Sequence, residues 1–450
     1  FWDGRNPLWS PPRGYSLDPA ALEKWGALFD AADAAKVRIQ LTFFHHGLVS
    51  TTVNPNWPEN PWNAAVAGGW LNDPKDWFTD KEAIRRQRLW LRYAVARWGA
   101  SSALFGWELF NEVEWADLTK ADPKAVGKWH DETKAYLRSI DPYARPVLSS
   151  SGRDLNETVF PNMDLLQPHV YAGDLHVGIS EAKPPRIGFV GEFGESGGAG
   201  GGSVKALRDG TLASLLGNHA AAAMWWNWDD VEKNGYFDWF AKFSAIVRET
   251  GIADRPDAAP LTLDYDPGRG GPLTAAPGRD WAAQPPMPVT AEGIPTLAAF
   301  LQGSGHAEMG RRIAIAVEVP AATTMTVRIG TVAARGATLV AEVNGRRITE
   351  RAWPATDKDR ESTETIAIPV PAGRSEVVLR NDGADWVRLV RFDLPGAGAL
   401  RTVRAVGEKE WAVVVLTGEG DLSVGGLPLA DGARRIRIWP FEGEASDGSA

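Results

Sequence analysis

The chain contains no cysteine. Disulfides, thiolate nucleophiles and cysteine-ligated zinc are therefore excluded. It also lacks any Lys/Arg-rich block, and its net charge is −9. No nucleic-acid partner is expected from that balance. No run approaches the roughly 20 apolar residues of a membrane span, so no membrane partner is expected either. No strand-like segment is followed by GxGxxG or P-loop spacing. The glycine run Gly197–Gly202 reads as a loop. No signal peptide is visible, and the chain opens on Phe1-Trp2-Asp3.

What the chain has in excess is tryptophan. There are 21, sixteen of them between Trp2 and Trp239, with six of the seven histidines in the same stretch. Indole faces stack on sugar rings, so such a composition suits a carbohydrate cleft, although tryptophan also serves as core.

At 450 residues the chain exceeds one compact core. Residues 1–255 alternate short apolar strands with helices. Strands are expected at Val37–Phe44, Leu104–Phe110, Pro146–Ser150, Met163–Tyr171, Arg186–Gly191 and Ala221–Trp228. Helices are expected from Asp18-Pro19, from the Thr79/Glu82 capping box, from Asp122-Pro123, and over Val204–Leu216 and Tyr236–Thr250. Repeated βα units of this length indicate an α/β, (β/α)8 TIM-type barrel. Residues 256–289 read as a Pro/Gly-rich connector. Residues 290–396 alternate as an all-β sandwich, with Asn344-Gly345 as a type I′ hairpin. Residues 397–450 form a small β-rich segment with a polar tail expected to lack order.

In such a barrel the reactive groups stand at the C-terminal ends of strands. One strand ends in Asn111-Glu112, one in His169-Val170-Tyr171, one in Glu192-Phe193-Gly194 and one in Trp225-Trp226-Asn227-Trp228. Glycoside hydrolysis needs one carboxyl to protonate the leaving oxygen and a second to attack the anomeric carbon or activate water. Glu112 and Glu192 are the candidates. Asn111, His169, Tyr171, Trp226, Trp228 and one of His45 and His46 are candidate substrate contacts. The competing reading makes the histidines, Tyr171 and the tryptophans core residues. Glu108 reads as a barrel-interior residue. Glu114, Asp117, Asp229 and Asp230 read as loop acids.

The order Asn-Glu, then His-x-Tyr, then Gly-Glu-Phe-Gly, together with the stretch Thr79–Glu114, resembles clan A glycoside hydrolases of families 5 and 39 over roughly residues 15–250. The resemblance implies retaining cleavage of β-linked glycans with Glu112 as acid/base and Glu192 as nucleophile. It also implies no cofactor and no metal, an oligosaccharide or polysaccharide as partner, and a secreted or extracytoplasmic location. By the same alignment the visible strands are numbers three to eight. Strands one and two and the usual strand-two arginine have no counterpart, and Phe1–Gly14 resembles the loop after strand two. The chain is therefore expected to be part of a longer one, with strands three and eight unpaired. Residues 290–396 resemble galactose-binding-like modules, which bind glycan or buttress the barrel. A non-catalytic binding protein on a decayed barrel, or a transglycosidase, remain alternatives.

Overall fold

The computed structural model describes residues 19–152, 156–172, 174–182, 187–195, 202–217, 219–279, 284–306, 309–418, 423–428, 435–438, 440 and 446–449. Phe1–Gly14, Asp18, Arg186 and most of the Gly197–Gly202 run lie outside them. The chain divides into two compact units. The first holds residues 1–169, 182–192 and 219–221; the second holds residues 170–181, 193–218 and 222–450.

The α/β part is built on one sheet of β1 (Ile39–His45), β2 (Leu104–Asn111), β3 (Val147–Ser151), β4 (Leu165–Ala172) and β5 (Glu192–Glu195), in that spatial order. The first four pair in parallel. Helices α1 (Pro19–Ala35), α2 (Lys81–Trp98), α3 (Asp117–Ala121), α4 (Pro123–Ile140), α5 (Leu175–Glu181), α6 (Val204–Leu216), α7 (Trp228–Asn234) and α8 (Phe237–Thr250) alternate with these strands or follow them. This is half of a parallel βα barrel. Among the described residues β1 pairs only with β2, so the sheet is open there.

The helices form for local reasons. In α2 the buried positions Ala83, Gln87, Leu91, Ala94, Val95 and Trp98 make one stripe at helical spacing. Its N-cap is Asp80, whose carboxylate accepts from Ala83 N, rather than the expected Thr79; Glu82 instead pairs with Arg85 and Arg86. Helix α4 starts as expected, with Asp122 capping Ala125 N and Pro123 in the first turn.

The first unit's core explains much of the tryptophan content. Trp57, Trp62, Trp77, Trp98, Trp107 and Trp129 are all buried in it. Trp62 and Trp77 stack at 4.3 Å, and the Trp107 indole donates to Asp141 Oδ2 at 2.9 Å.

Two expected strands differ. Ala221–Trp228 reduces to a single bridge, Phe193 to Trp225, because Asn227 turns the chain into α7 at Trp228. The Arg186–Gly191 segment contributes a bridge at Gly188, and the strand proper begins at Glu192. Glycines at 188 and 191 carry no β-branched side chain to favour a ladder.

The sandwich follows its alternating pattern. One sheet orders Arg346–Trp353, Ala337–Val343, Gly373–Asn381, Arg312–Val319 and Val289–Thr290. The other orders Arg360–Glu361, Thr323–Val332, Val387–Gly398 and Gly271–Ala275, with Thr365–Val370 and Phe300–Leu301 attached. Ile313, Val327, Leu339, Ile368, Leu379 and Phe392 fill the space between them. Asn344 and Gly345 both have positive φ (51° and 77°), as a type I′ turn requires. The 256–289 stretch is less of a connector than its composition indicates. Gly271–Ala275 joins the second sandwich sheet, and Ala259–Pro260 pairs with Arg401–Glu408. The described part of the polar tail is ordered: Ser446–Ser449 pairs with Arg435–Ile438.

Candidate active site

Strand β2 sets up the site. After eight extended residues the chain turns at Glu112, which has φ 51° and ψ 51°. A non-glycine residue in the left-handed region costs on the order of 1–3 kcal/mol and persists only where neighbours hold it. The Glu112 N–H donates to Ser150 Oγ at 3.0 Å, and the Ser150 hydroxyl faces Asn111 Oδ1 at 3.4 Å. Ser150 is wholly buried on β3, beside Ser149, whose hydroxyl donates to the Phe110 carbonyl. Two adjacent serines thus clamp the end of β2.

The turned carboxylate meets two histidines. His169 Nδ1 lies 2.8 Å from Glu112 Oε1 and 3.5 Å from Glu192 Oε2. His46 Nδ1 lies 3.6 Å from Glu112 Oε2. One atom each from Glu112, His169 and Glu192 all fall within 4.8 Å of one another. The three side chains are largely shielded, with exposures of 17%, 3% and 14%.

Burial works to raise the Glu112 carboxyl, but the hydrogen bond from His169 and the charges of His169 and His46 outweigh it and hold it below the usual range. Burial likewise works against the His169 imidazolium. The bond to Glu112 and the charges of Glu192, Glu112 and Glu108 reverse this and raise it. His46 is lowered, chiefly by burial. The group can therefore hold an ionised carboxylate, a proton on a neighbouring imidazole, and a second carboxylate close by.

Beneath it, Glu108 Oε2 accepts from Gln40 Nε2 (2.9 Å) and Thr42 Oγ1 (2.6 Å), the barrel-interior position read from the sequence. His45 closes β1 opposite Asn111. Burial and the charge of His46 push its imidazole down to about 4. Of the two histidines, His46 faces Glu112.

The remaining candidates lie in the second unit. The Tyr171 ring packs on Gly194, where an added Cβ would come within 2.9 Å of it. Trp225 tilts against Phe193, with ring centres 5.0 Å apart. Trp226 and Trp228 are exposed, at 40% and 74%. Trp228 opens α7 rather than ending a strand.

Two acids depart from the loop reading. Glu114 is held by the Gly152 N–H, and burial pushes its carboxyl up to about 7. Asp230 is buried and accepts from Gly202 N at 2.8 Å. Asp117 is partly exposed and accepts from Thr51. Glu114 and the serine clamp were missed. The run Ser149-Ser150-Ser151 in an otherwise apolar strand is the signal that could have found the clamp.

No family model matches the chain. Among curated proteins it is 23% identical over 137 residues to a probable mannan endo-1,4-beta-mannosidase F of Emericella nidulans, covering 30% of this chain and 29% of that one. It is 31% identical over 99 residues to a probable mannan endo-1,4-beta-mannosidase A of Aspergillus clavatus, covering 21% and 26%. The aligned part thus spans less than a third of these relatives' length. Among solved structures, a beta-mannanase from the blue mussel Mytilus edulis aligns at 14% identity and TM-score 0.33, over 47% of this chain and 68% of that one. A family 35 carbohydrate binding module from an environmental isolate aligns at 20% identity and TM-score 0.17, over 19% and 71%.

The sequence relatives are named as mannan endo-mannosidases, glycoside hydrolases of the class that the strand-end motifs resemble. More particularly, the chain is similar to mannan endo-1,4-beta-mannosidases.

Proposed function

We propose that this chain carries the active site of a retaining glycoside hydrolase acting on a β-1,4-linked, mannan-type polysaccharide. The observation that carries the reading is the pair Glu112 and Glu192, whose nearest ligand atoms fall within 4.8 Å with His169 between them. Double displacement needs carboxyls about 5–5.5 Å apart, whereas inversion needs about 6.5–9.5 Å to admit a water. The short spacing favours retention. The curated relatives, named as mannan endo-mannosidases, support the substrate class.

In the mechanism Glu192 attacks the anomeric carbon, and the leaving oxygen takes a proton from Glu112. The His169–Glu112 pair shares a proton, so it is treated as one unit. At rest the proton sits on His169. Substrate that excludes water from Glu112 strengthens the burial effect and moves the proton toward the carboxyl. In the second step Glu112 must be ionised to activate water, the state His169 favours. Asn111 is the candidate partner for the 2-hydroxyl, and Trp226 or Trp228 the candidate apolar platform. Residues 290–396 act as a buttress: Arg391 lies 3.9 Å from Glu195. A polymeric substrate places the action outside the cytoplasm.

The test is product analysis on a panel of β-mannan, cellulose, xylan and aryl β-glycosides. Reducing ends should appear fastest on β-mannan, and proton NMR should find the first-formed product in the β configuration. An α product, or no release from any member of the panel, overturns the reading.

A further inference from the structure

Two holds run from β3 to the reactive end of β2. The first is the Ser150 hydroxyl, which fixes the Glu112 backbone. The second concerns the Glu112 side chain. That carboxylate takes its direction from His169 Nδ1, 2.8 Å away. His169 in turn donates its backbone N–H to the Gly152 carbonyl at 3.0 Å. Gly152 lies one residue beyond Ser151, the last β3 residue in register with β4. Its own N–H goes to Glu114 Oε1. Glu114 stands two residues after Glu112, so the contacts close into a ring. The ring runs from Glu112 through Glu114, Gly152 and His169 back to Glu112.

The local sequence explains how Glu114 gets there. The left-handed residue Glu112 opens a single 3-10 turn over Val113–Trp115, closed by the Trp115 N–H on the Glu112 carbonyl at 3.1 Å. That turn brings Glu114 back onto the residue after β3. Residue 152 has to be small for the contact to form, because a Cβ there would lie 2.6 Å from Glu114 Oε1. The arrangement is costly. Glu114 lines one cavity with Val113, Val159 and Phe160, and its Oε2 is buried without a partner. Such orphaned oxygens are uncommon, and desolvated carboxyls gather at functional sites. Burial, aided by the charge of Glu112, raises the carboxyl to about 7 against the Gly152 bond and the charge of His169. The neutral carboxyl still accepts through Oε1 while its proton rests on Oε2.

We propose that Glu114 is a positioning residue: through Gly152 it fixes His169, and through His169 it fixes the direction of the Glu112 carboxyl. The positioning stands on the hydrogen bonds alone; its effect on turnover rests on the hydrolase reading. Glu114 acts only through its neighbours, so its loss should fall on kcat and leave KM in place.

Three variants of the full chain separate positioning from packing. Glu114→Ala removes the acceptor. Glu114→Gln keeps a carbonyl oxygen for the Gly152 N–H at nearly the same volume. Gly152→Ala pushes the carboxyl aside, and the displaced atom is the end of a flexible side chain, so the fold is spared. Proton NMR reads the His169 Nδ1 proton, shifted downfield by its charge-assisted bond to Glu112 and assigned by its loss in His169→Gln. That signal should move upfield or broaden away in Glu114→Ala and Gly152→Ala, and stay in Glu114→Gln. On β-mannan, kcat should fall by up to about 10²-fold in the first two and largely recover in the third, as a displacement near 1 Å of a reacting group entails. If Glu114→Ala does not fold, the other two variants decide. A signal absent from the wild type, unmoved in Gly152→Ala, or lost equally in Glu114→Gln overturns the positioning. A moved signal with kcat unchanged in an active chain overturns its part in turnover. A signal that moves as expected in a chain that cleaves no glycan overturns the hydrolase reading and leaves the positioning standing.

Discussion

Nδ1 of His169 lies 2.8 Å from Oε1 of Glu112. Each group holds the other in its charged form against the burial that opposes it. The effect on stability follows in sign from the two shifts. The Glu112 carboxyl is lowered from 4.5, so its contribution is present above about 4.5 and is lost as pH falls through its folded value. The His169 imidazole is raised from 6.5, so its contribution is present below about 6.5 and is lost as pH rises through its folded value. Both are complete only between these limits. His169→Gln should therefore lower Tm most between pH 4.5 and 6.5, by a loss on the order of 3 kcal/mol for a broken buried pair. The gap from wild type should narrow on either side. A gap constant from pH 4 to pH 9 would contradict the ion pair.

The two glutamates should separate by leaving group. Glu192→Ala removes the attacking group, so turnover of every substrate should vanish. Glu112→Ala removes the proton donor, so polysaccharide turnover should fall by about 10²–10⁴. Dinitrophenyl glycosides, which need little protonation, should form the glycosyl-enzyme almost normally and then stall. Azide should restore turnover and yield the β-glycosyl azide. Equal losses on all substrates in both variants would remove the assignment.

The proposed reactive pair could be picked out of the sequence because catalytic barrels place chemistry at strand ends, and Asn111-Glu112 and Glu192-Phe193-Gly194 end recognisable apolar runs. The sandwich was legible through its alternation and through Asn344-Gly345. What stayed hidden depends on three dimensions. Ser150 looks like any polar strand residue until Glu112 turns left-handed and needs an acceptor for its N–H. Glu114 reads as a loop acid until Gly152 closes over it. The Ala221–Trp228 run looked like a full strand because it is apolar, yet only Trp225 bridges. The polarity of Asn227 and the acids Asp229 and Asp230 favour a helix start immediately after it.

A buried neutral histidine sets the acid limit. His130 is wholly buried, with Nδ1 3.1 Å from the Val126 carbonyl and Nε2 3.1 Å from Ser149 Oγ. Burial pushes it down to about 3. Its folded value lies below the unfolded one, so the unfolded chain takes up a proton that the fold refuses. Stability is then lost as pH falls below 6.5, at about 1.4 kcal/mol per pH unit. Urea midpoints should drop between pH 7 and pH 5 in the wild type and drop less in His130→Gln. Parallel drops would assign the acid loss to other groups.

Helix α6 offers a test of how tightly Glu192 is seated. Replacing a mid-helix glycine with alanine ordinarily stabilises a helix by about 0.5–1 kcal/mol. At Gly210 the sign should reverse. A Cβ there would fall 2.0 Å from Cε2 of Phe193, a wholly buried ring on β5 with no room to retreat. Overpacking of this kind costs about 1–3 kcal/mol, so Gly210→Ala should lower Tm. Phe193 directly follows Glu192, so any shift of the ring pulls on the proposed nucleophile, and kcat should fall more than KM rises. Phe193→Leu trims the ring, and in the Gly210→Ala background it should recover part of both losses, a coupling read from the double-mutant cycle. Additive effects of the two changes would mean that the glycine is not there for the ring.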